Sequence, residues 1–133
     1  MIREIIRPLL QEIYQYDGWK MLVCCMCVNV TNRKQVDIVR DELFGRYPTP
    51  QDMMNAEHSE LVDIIKPLGL YNTRAERLIK MSEGYVNGFN DVTELYGIGQ
   101  YAKDSWEIFQ NNNLSVKPRD LVLQEYLRQE RNK

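Results

Sequence analysis

The sequence has no surplus of positive charge. Lys and Arg number 17 against 19 Asp and Glu, for a formal net charge of −2 and a pI near 5.5. Taken alone, this argues against a nucleic-acid binder, which usually carries a basic excess. A local basic face can still coexist with acids elsewhere. In that case a weak global field predicts modest non-specific affinity for DNA and strong salt sensitivity of what binding there is. Histidine is also scarce, with His58 alone. The cysteines are Cys24, Cys25 and Cys27, all in one apolar run. An odd, bunched set of this kind is not a disulfide framework. With His58 on another segment it is not a metal site either, so the thiols read as small hydrophobes on a buried helix. No metal and no cofactor are expected. No stretch is long and apolar enough to span a bilayer. The first residues mix both charge signs with apolar side chains, unlike a signal or transit peptide. A soluble intracellular monomer without membrane partners is the expectation. Low-complexity segments, internal repeats, linkers and the period-two alternation of strands are all missing, which leaves a single all-α domain over residues 1–133.

What is present is apolar residues at helical spacing. Ile2, Ile5, Ile6, Leu9 and Ile13 make the stripe of a first helix. Asp17 is placed to cap a second, Trp19 to Val30, whose nearly all-round apolar character marks a central buried helix. Val36, Val39, Leu43 and Phe44 form the inner face of a third, ending near Tyr47 and Pro48. Thr49 caps a short fourth with Met53 and Met54, and Ser59 a fifth that stops before Pro67. Asn72 or Thr73 caps a sixth, with Ala75, Leu78, Ile79 and Val86 turned inward. A helix from Gln100 to Gln110 and a last one begun by Pro118 complete a compact bundle of about eight short helices.

Three segments carry chemistry. In Gly97-Ile98-Gly99 two glycines bracket one apolar residue just before a helix. Backbone can come close to such a turn, and the free N–H groups of the following helix suit a phosphate. The alternative is a plain tight turn with Ile98 plugged into the core. Leu70, beside Gly69 at a sharp turn, is either an exposed wedge able to push between bases or an ordinary core residue. Asp120 follows Lys117, Pro118 and Arg119 at a helix start; it is either a functional carboxylate or a helix cap.

The stretches WKMLV, IIKPLGLYNTRAERLIK, ELYGIGQYAKDSWEIF and KPRDLVL, in that order and spacing, resemble the helix-hairpin-helix DNA glycosylase superfamily. The resemblance covers about Trp19 to Tyr126. It is strongest to the mismatch thymine/uracil glycosylases related to the catalytic domain of the methyl-CpG-binding glycosylase, and more distant to endonuclease III. It implies that the hairpin Gly97-Ile98-Gly99 holds a phosphate, that Asp120 is the catalytic carboxylate and that Leu70 wedges into the duplex. Lys103, Lys117 and Arg119 are then further DNA contacts. Tyr101 stands where lyase-active members carry a Schiff-base lysine, which implies a monofunctional enzyme of base excision repair. Its partner is double-stranded DNA with a mispaired or modified pyrimidine, such as uracil or thymine opposite guanine. The non-catalytic alternative is a DNA-binding module that keeps the hairpin alone. The sequence departs from the family at Val30, where relatives place an arginine or glutamine that fills the gap left by a flipped base. Leu121 replaces a polar residue. The cysteines that hold an iron–sulfur cluster in endonuclease III have no counterparts here.

Overall fold

The computed structural model describes residues 6–29 and 31–133. Among these it contains eight α-helices, two short 3-10 turns and no strand. The helices are α1 Leu10–Ile13, α2 Gly18–Val28, α3 Arg33–Arg46, α4 Pro50–Met54, α5 His58–Ile65, α6 Tyr71–Asn87, α7 Gln100–Phe109 and α8 Leu121–Arg131.

Helix α2 is the axis of the bundle. Asp17 caps it by accepting from the Lys20 amide at 3.1 Å. Trp19, Met21, Leu22, Val23, Cys24, Cys25 and Cys27 are all buried along it. The all-apolar run therefore packs on every side: against α1 and α7 on one flank, and α3 and α6 on the other. The one indole N–H buried with it is satisfied by Ser82 Oγ at 2.9 Å, which removes the cost of sealing that donor from water. The three cysteines are free thiols inside this core. Helices α4 and α5 pack on α6, while α8 sends Leu123 and Leu127 into the core and sets Tyr126 against Phe109 with ring centroids 4.8 Å apart. No helix among the described residues is long and apolar enough to cross a membrane.

Several expected boundaries move. The first helix is one turn, Leu10–Ile13, and Ile6 is 65% exposed instead of inward. Proline has no amide hydrogen, so Pro8 cannot sit inside the longer helix that the apolar stripe suggests. Ile2, Ile5 and Val30 lie outside the described residues. Helix α5 begins at His58 behind Glu57, and Ser59 is inside it, not its cap. Helix α6 begins at Tyr71, earlier than Asn72 or Thr73 would allow as caps, because the chain enters it through Gly69 and a left-handed Leu70. Val86 is only half-buried. Helix α8 starts after Asp120, so Pro118 precedes it and Asp120 is its N-cap.

One side chain organises the junction of α2 and α6. Arg74, buried, donates to the carbonyl oxygens of Met26 at 3.0 Å and Cys27 at 3.3 Å, to that of Asn29, and to Gly69 at 2.9 Å. The first three are the carbonyls that a helix end leaves without partners. The cation also meets the negative end of the α2 dipole. Replacing Arg74 with Lys should cost about 2–4 kcal/mol in denaturant unfolding, since an ammonium cannot fork across both segments and leaves buried carbonyls unpaired. An unfolding midpoint unchanged from wild type would show that the clamp contributes nothing.

Candidate active site

The helix ends converge on a cleft of about 750 Å³. Its walls come from α1 (Leu10, Gln11), the end of α2 (Cys25 to Asn29), the start of α6, the glycine hairpin, the first turn of α7, and Asp120. Among the residues expected to form the site, the cleft brings together Leu70, Gly97, Gly99, Tyr101 and Asp120.

Asp120 is held from both chain directions. Its Oδ2 accepts from the Leu123 amide at 2.9 Å, capping α8. Gln124, one turn on, returns its amine to the carbonyls of Pro118 at 2.9 Å and Arg119 at 3.3 Å. Arg131 binds the carbonyls of Leu114 and Val116 and so straps down the rest of the preceding loop. Asp120 is thus a helix cap, as the bland reading had it, but the cap uses one carboxylate oxygen. The other takes no hydrogen bond among the described residues.

Tyr101 sits in the first turn of α7, and its hydroxyl oxygen accepts from Gln11 Nε2 at 2.7 Å. Burial pushes its phenol well above the usual tyrosine range; the Cys25 thiol and the Asp120 carboxylate push the same way, while the Gln11 N–H pulls back. The phenol therefore keeps its proton across the neutral range.

Leu70 is 64% exposed at φ 47°, a left-handed conformation that a branched apolar residue adopts at a cost. It is not a core residue. The turn at Gly97 has φ 80°, which favours glycine, and a Cβ there would stand 3.1 Å from the flexible Met26 Cε, a tight contact. Gly99 is the N-cap of α7, has no side-chain cap bond, and faces open space, with nothing within 4 Å of where its Cβ would be. The N–H groups of Gln100, Tyr101 and Ala102, in the first turn of α7, have no hydrogen-bond acceptor among the described residues. Ile98 behaves differently from its neighbours: it is 9% exposed in the core, its amide bonds Leu95 O at 3.3 Å, and it does not line the cleft.

The expected cations divide. Lys103 is tied to Asp91 and Glu107, each at 3.3 Å, and does not line the cleft. Lys117 and Arg119 are exposed beside Asp120 but outside the cleft wall. Val30 lies outside the described residues. The sequence reading missed Arg77. Its stem packs on the hairpin, Cβ and Cδ standing 3.8 and 3.9 Å from the Cβ position of Gly97, and it lines the cleft. Arg33 and Arg74 also line it, but Arg33 is paired with Asp37 at 2.9 Å and Arg74 is spent on carbonyls. Arg77 makes no ion pair or side-chain hydrogen bond among the described residues. Gln11, which is 3% exposed, was missed as well. Among the described residues no group of His, Cys, Asp and Glu could hold a metal ion.

The profile of a family described as the HhH-GPD superfamily of base excision DNA repair proteins matches residues 23–130. The chain is 38% identical over 120 residues to a methyl-CpG-binding domain protein 4-like protein of Arabidopsis thaliana, covering 89% of this chain and 27% of that one. It is 36% identical over 94 residues to a thymine/uracil-DNA glycosylase of Pyrobaculum aerophilum, covering 65% of this chain and 41% of the relative. It is 25% identical over 126 residues to an endonuclease III of Thermotoga maritima, covering 87% and 59% respectively. The chain thus spans less than two thirds of the length of each of these relatives.

The buried groups around the cleft set an alkaline limit. Burial pushes the thiols of Cys25 and Cys27 from 9.0 up to about 12, with Ser105 and Arg74 respectively pulling back. Both hold their protons more tightly folded than unfolded. Their contribution is fully present below pH 9.0 and is lost as pH rises toward about 12. The denaturant midpoint should fall progressively over that window, and Cys27→Ala should flatten the fall. A midpoint flat throughout it would contradict this account.

Proposed function

The chain belongs to the HhH-GPD superfamily of base excision DNA repair proteins, and from that membership we propose that it is a monofunctional DNA glycosylase acting on a mispaired or modified pyrimidine: uracil or thymine opposite guanine, or a modified thymine. The observation that carries this reading is the single cleft in which the half-used Asp120 carboxylate, the protonated Tyr101, the exposed Leu70 and the glycine turn meet. The named glycosylases among the relatives support it.

Chemistry on a stacked base requires the base to leave the helix. The unbonded N–H groups at the start of α7 would hold a phosphate of the target strand, with Arg77 beside them. Leu70 would occupy the space opened in the stack. As the bond from C1′ to the base nitrogen breaks, the electron pair leaves with the base and the sugar gains positive charge. The free oxygen of Asp120 would stabilise that charge and take a proton from the water that adds to C1′. Tyr101 offers no amine, and a phenol kept protonated is not a nucleophile, so no covalent sugar adduct forms. The abasic site would be left uncut.

A second reading, a DNA-binding module without turnover, is favoured by one observation: the Asp120 carboxylate already has a structural role as the α8 cap. The variant Asp120→Asn separates the two. Asparagine caps helices about as well as aspartate, so fold and DNA binding should persist. Release of uracil from a duplex with uracil opposite guanine, scored as alkali-dependent cleavage, should fall by about 10²–10³ or more. Wild-type protein that releases neither uracil nor thymine from any such duplex would leave only the module. Arg77→Ala should weaken binding evenly across sequences and lower the slope of log affinity against log salt by about 1. An unchanged slope would remove Arg77 from the interface.

A further inference from the structure

Three polar side chains meet at the inner wall of the cleft: Gln11 from α1, and Tyr101 and Ser105 from α7. Ser105 is fully buried, at 0% exposure, and touches no part of the cleft surface. Its hydroxyl donates to the Tyr101 backbone carbonyl at 2.9 Å. A carbonyl can only accept, and a hydroxyl has one hydrogen, so while Ser105 holds this bond its Oγ accepts from its other neighbours; the Cys25 sulfur would compete for that hydrogen only as a thiolate, and burial keeps Cys25 protonated up to about 12. Gln11 obliges by turning its amine inward: Nε2 lies 3.1 Å from Ser105 Oγ and 2.7 Å from Tyr101 Oη.

That arrangement fixes what remains for a ligand. Both amine hydrogens of Gln11 are committed. Its carbonyl oxygen has no partner among the described residues, and it is not sealed from solvent, since only the Tyr47 hydroxyl is both buried and unpaired there. Gln11 lines the cleft, and this oxygen is its one side-chain polar atom left for a ligand there. The Tyr101 oxygen already accepts from Gln11, which leaves its own hydrogen to donate. The wall thus offers one acceptor and one donor. Uracil and thymine carry an N3–H flanked by carbonyl oxygens and match it. Cytosine carries a bare N3 lone pair and an exocyclic amine, so acceptor would meet acceptor. Were the Gln11 amide turned over, its oxygen would take the hydrogens of Tyr101 and Ser105, and its amine would face the cleft and suit cytosine. The turnover is opposed by the commitment of the Ser105 hydrogen to the Tyr101 carbonyl.

We propose that Ser105 is a positioning residue that fixes the polarity of the Gln11 amide, and so makes the cleft select the hydrogen-bonding edge of uracil or thymine over that of cytosine. The inference rests on the glycosylase reading only in requiring that an extruded pyrimidine enter this cleft. Its test is therefore a binding measurement. Duplexes carrying 2′-fluoroarabino-uridine or 2′-fluoroarabino-cytidine opposite guanine resist hydrolysis and are titrated by fluorescence anisotropy. The quantity read is the change in the uracil-over-cytosine affinity ratio on mutation, because the cost of unpairing each base is common to all variants. Ser105→Ala should narrow that ratio by about fivefold, the equivalent of one ordinary hydrogen bond, chiefly through better binding of the cytosine duplex. Ser105→Thr, which keeps the hydroxyl, should restore it. If Ser105→Ala does not fold, Ser105→Cys, with a much weaker donor of similar size, should narrow the ratio in its place. A ratio unchanged in a folded Ser105→Ala or Ser105→Cys overturns the proposal even where wild-type protein releases uracil. A ratio that narrows as expected in a chain that releases no base upholds Ser105 and removes the catalytic reading instead.

Discussion

The hold of Arg74 on the end of α2 is the constraint from which the rest of the architecture follows. Helix α2 is apolar on nearly every side, so burial drives it to the centre of the bundle and does little to set its rotation about its axis. A buried helix also brings its last carbonyls inside, where unpaired they are costly. One guanidinium answers both problems. It satisfies the carbonyls of Met26, Cys27 and Asn29, and through Gly69 it pins the turn that leads into α6. With that turn fixed against α2, the chain enters α6 through Leu70 in a left-handed conformation, which leaves the leucine standing in solvent at the cleft edge. Strain at one residue and exposure of its side chain are thus consequences of how the central helix ends.

The opposite wall is built on the same economy, with polar groups doing two jobs at once. The Asp120 carboxylate starts α8 with one oxygen and keeps the other unbonded. Arg7 chelates Glu12, reaches Glu130 at 3.1 Å and Gln129 at 3.0 Å, and lies 4.9 Å over the Tyr126 ring. It thereby joins the short α1, which carries Gln11, to α8, which Asp120 begins. A one-turn helix is not stable by itself. Here it is held by contacts at both ends of the chain, and that is what sets Gln11 against Tyr101.

How much of this the sequence discloses depends on whether the determining contacts are local. The Asp17 and Thr49 caps, the burial of α2 and the extent of α7 follow from neighbouring residues and were legible. So were the hairpin, through the two glycines bracketing Ile98, and the identity of Asp120 as a helix-start carboxylate. The start of α6 was misplaced because Asn72 and Thr73 are good caps locally, while the actual start is set by Arg74 reaching Met26, 48 residues away. Gln11 and Ser105 were invisible for the same reason: 94 residues separate them, and neither belongs to a spacing pattern that a single sequence can display. The surroundings of Lys103 were hidden too. A lysine near a hairpin reads as a phosphate contact, and only the structure shows Asp91 and Glu107 beside it.

The acidic balance of the chain, which argued against DNA, does not lie at the cleft. Glu12, Asp37, Glu60, Glu76, Asp91, Glu107, Glu125 and Glu130 are each paired with a lysine or arginine within the molecule. Paired charges cancel over distances comparable to the screening length, about 8 Å at physiological salt, so they contribute little field at the cleft. There the charged side chains among the described residues are Arg33, Arg74, Arg77 and Asp120. A duplex arriving at this face would meet unbonded amides and arginine with a single carboxylate among them. Net charge describes the field far from the protein, and affinity for a strand is decided at contact, which is why a pI near 5.5 is compatible with this surface.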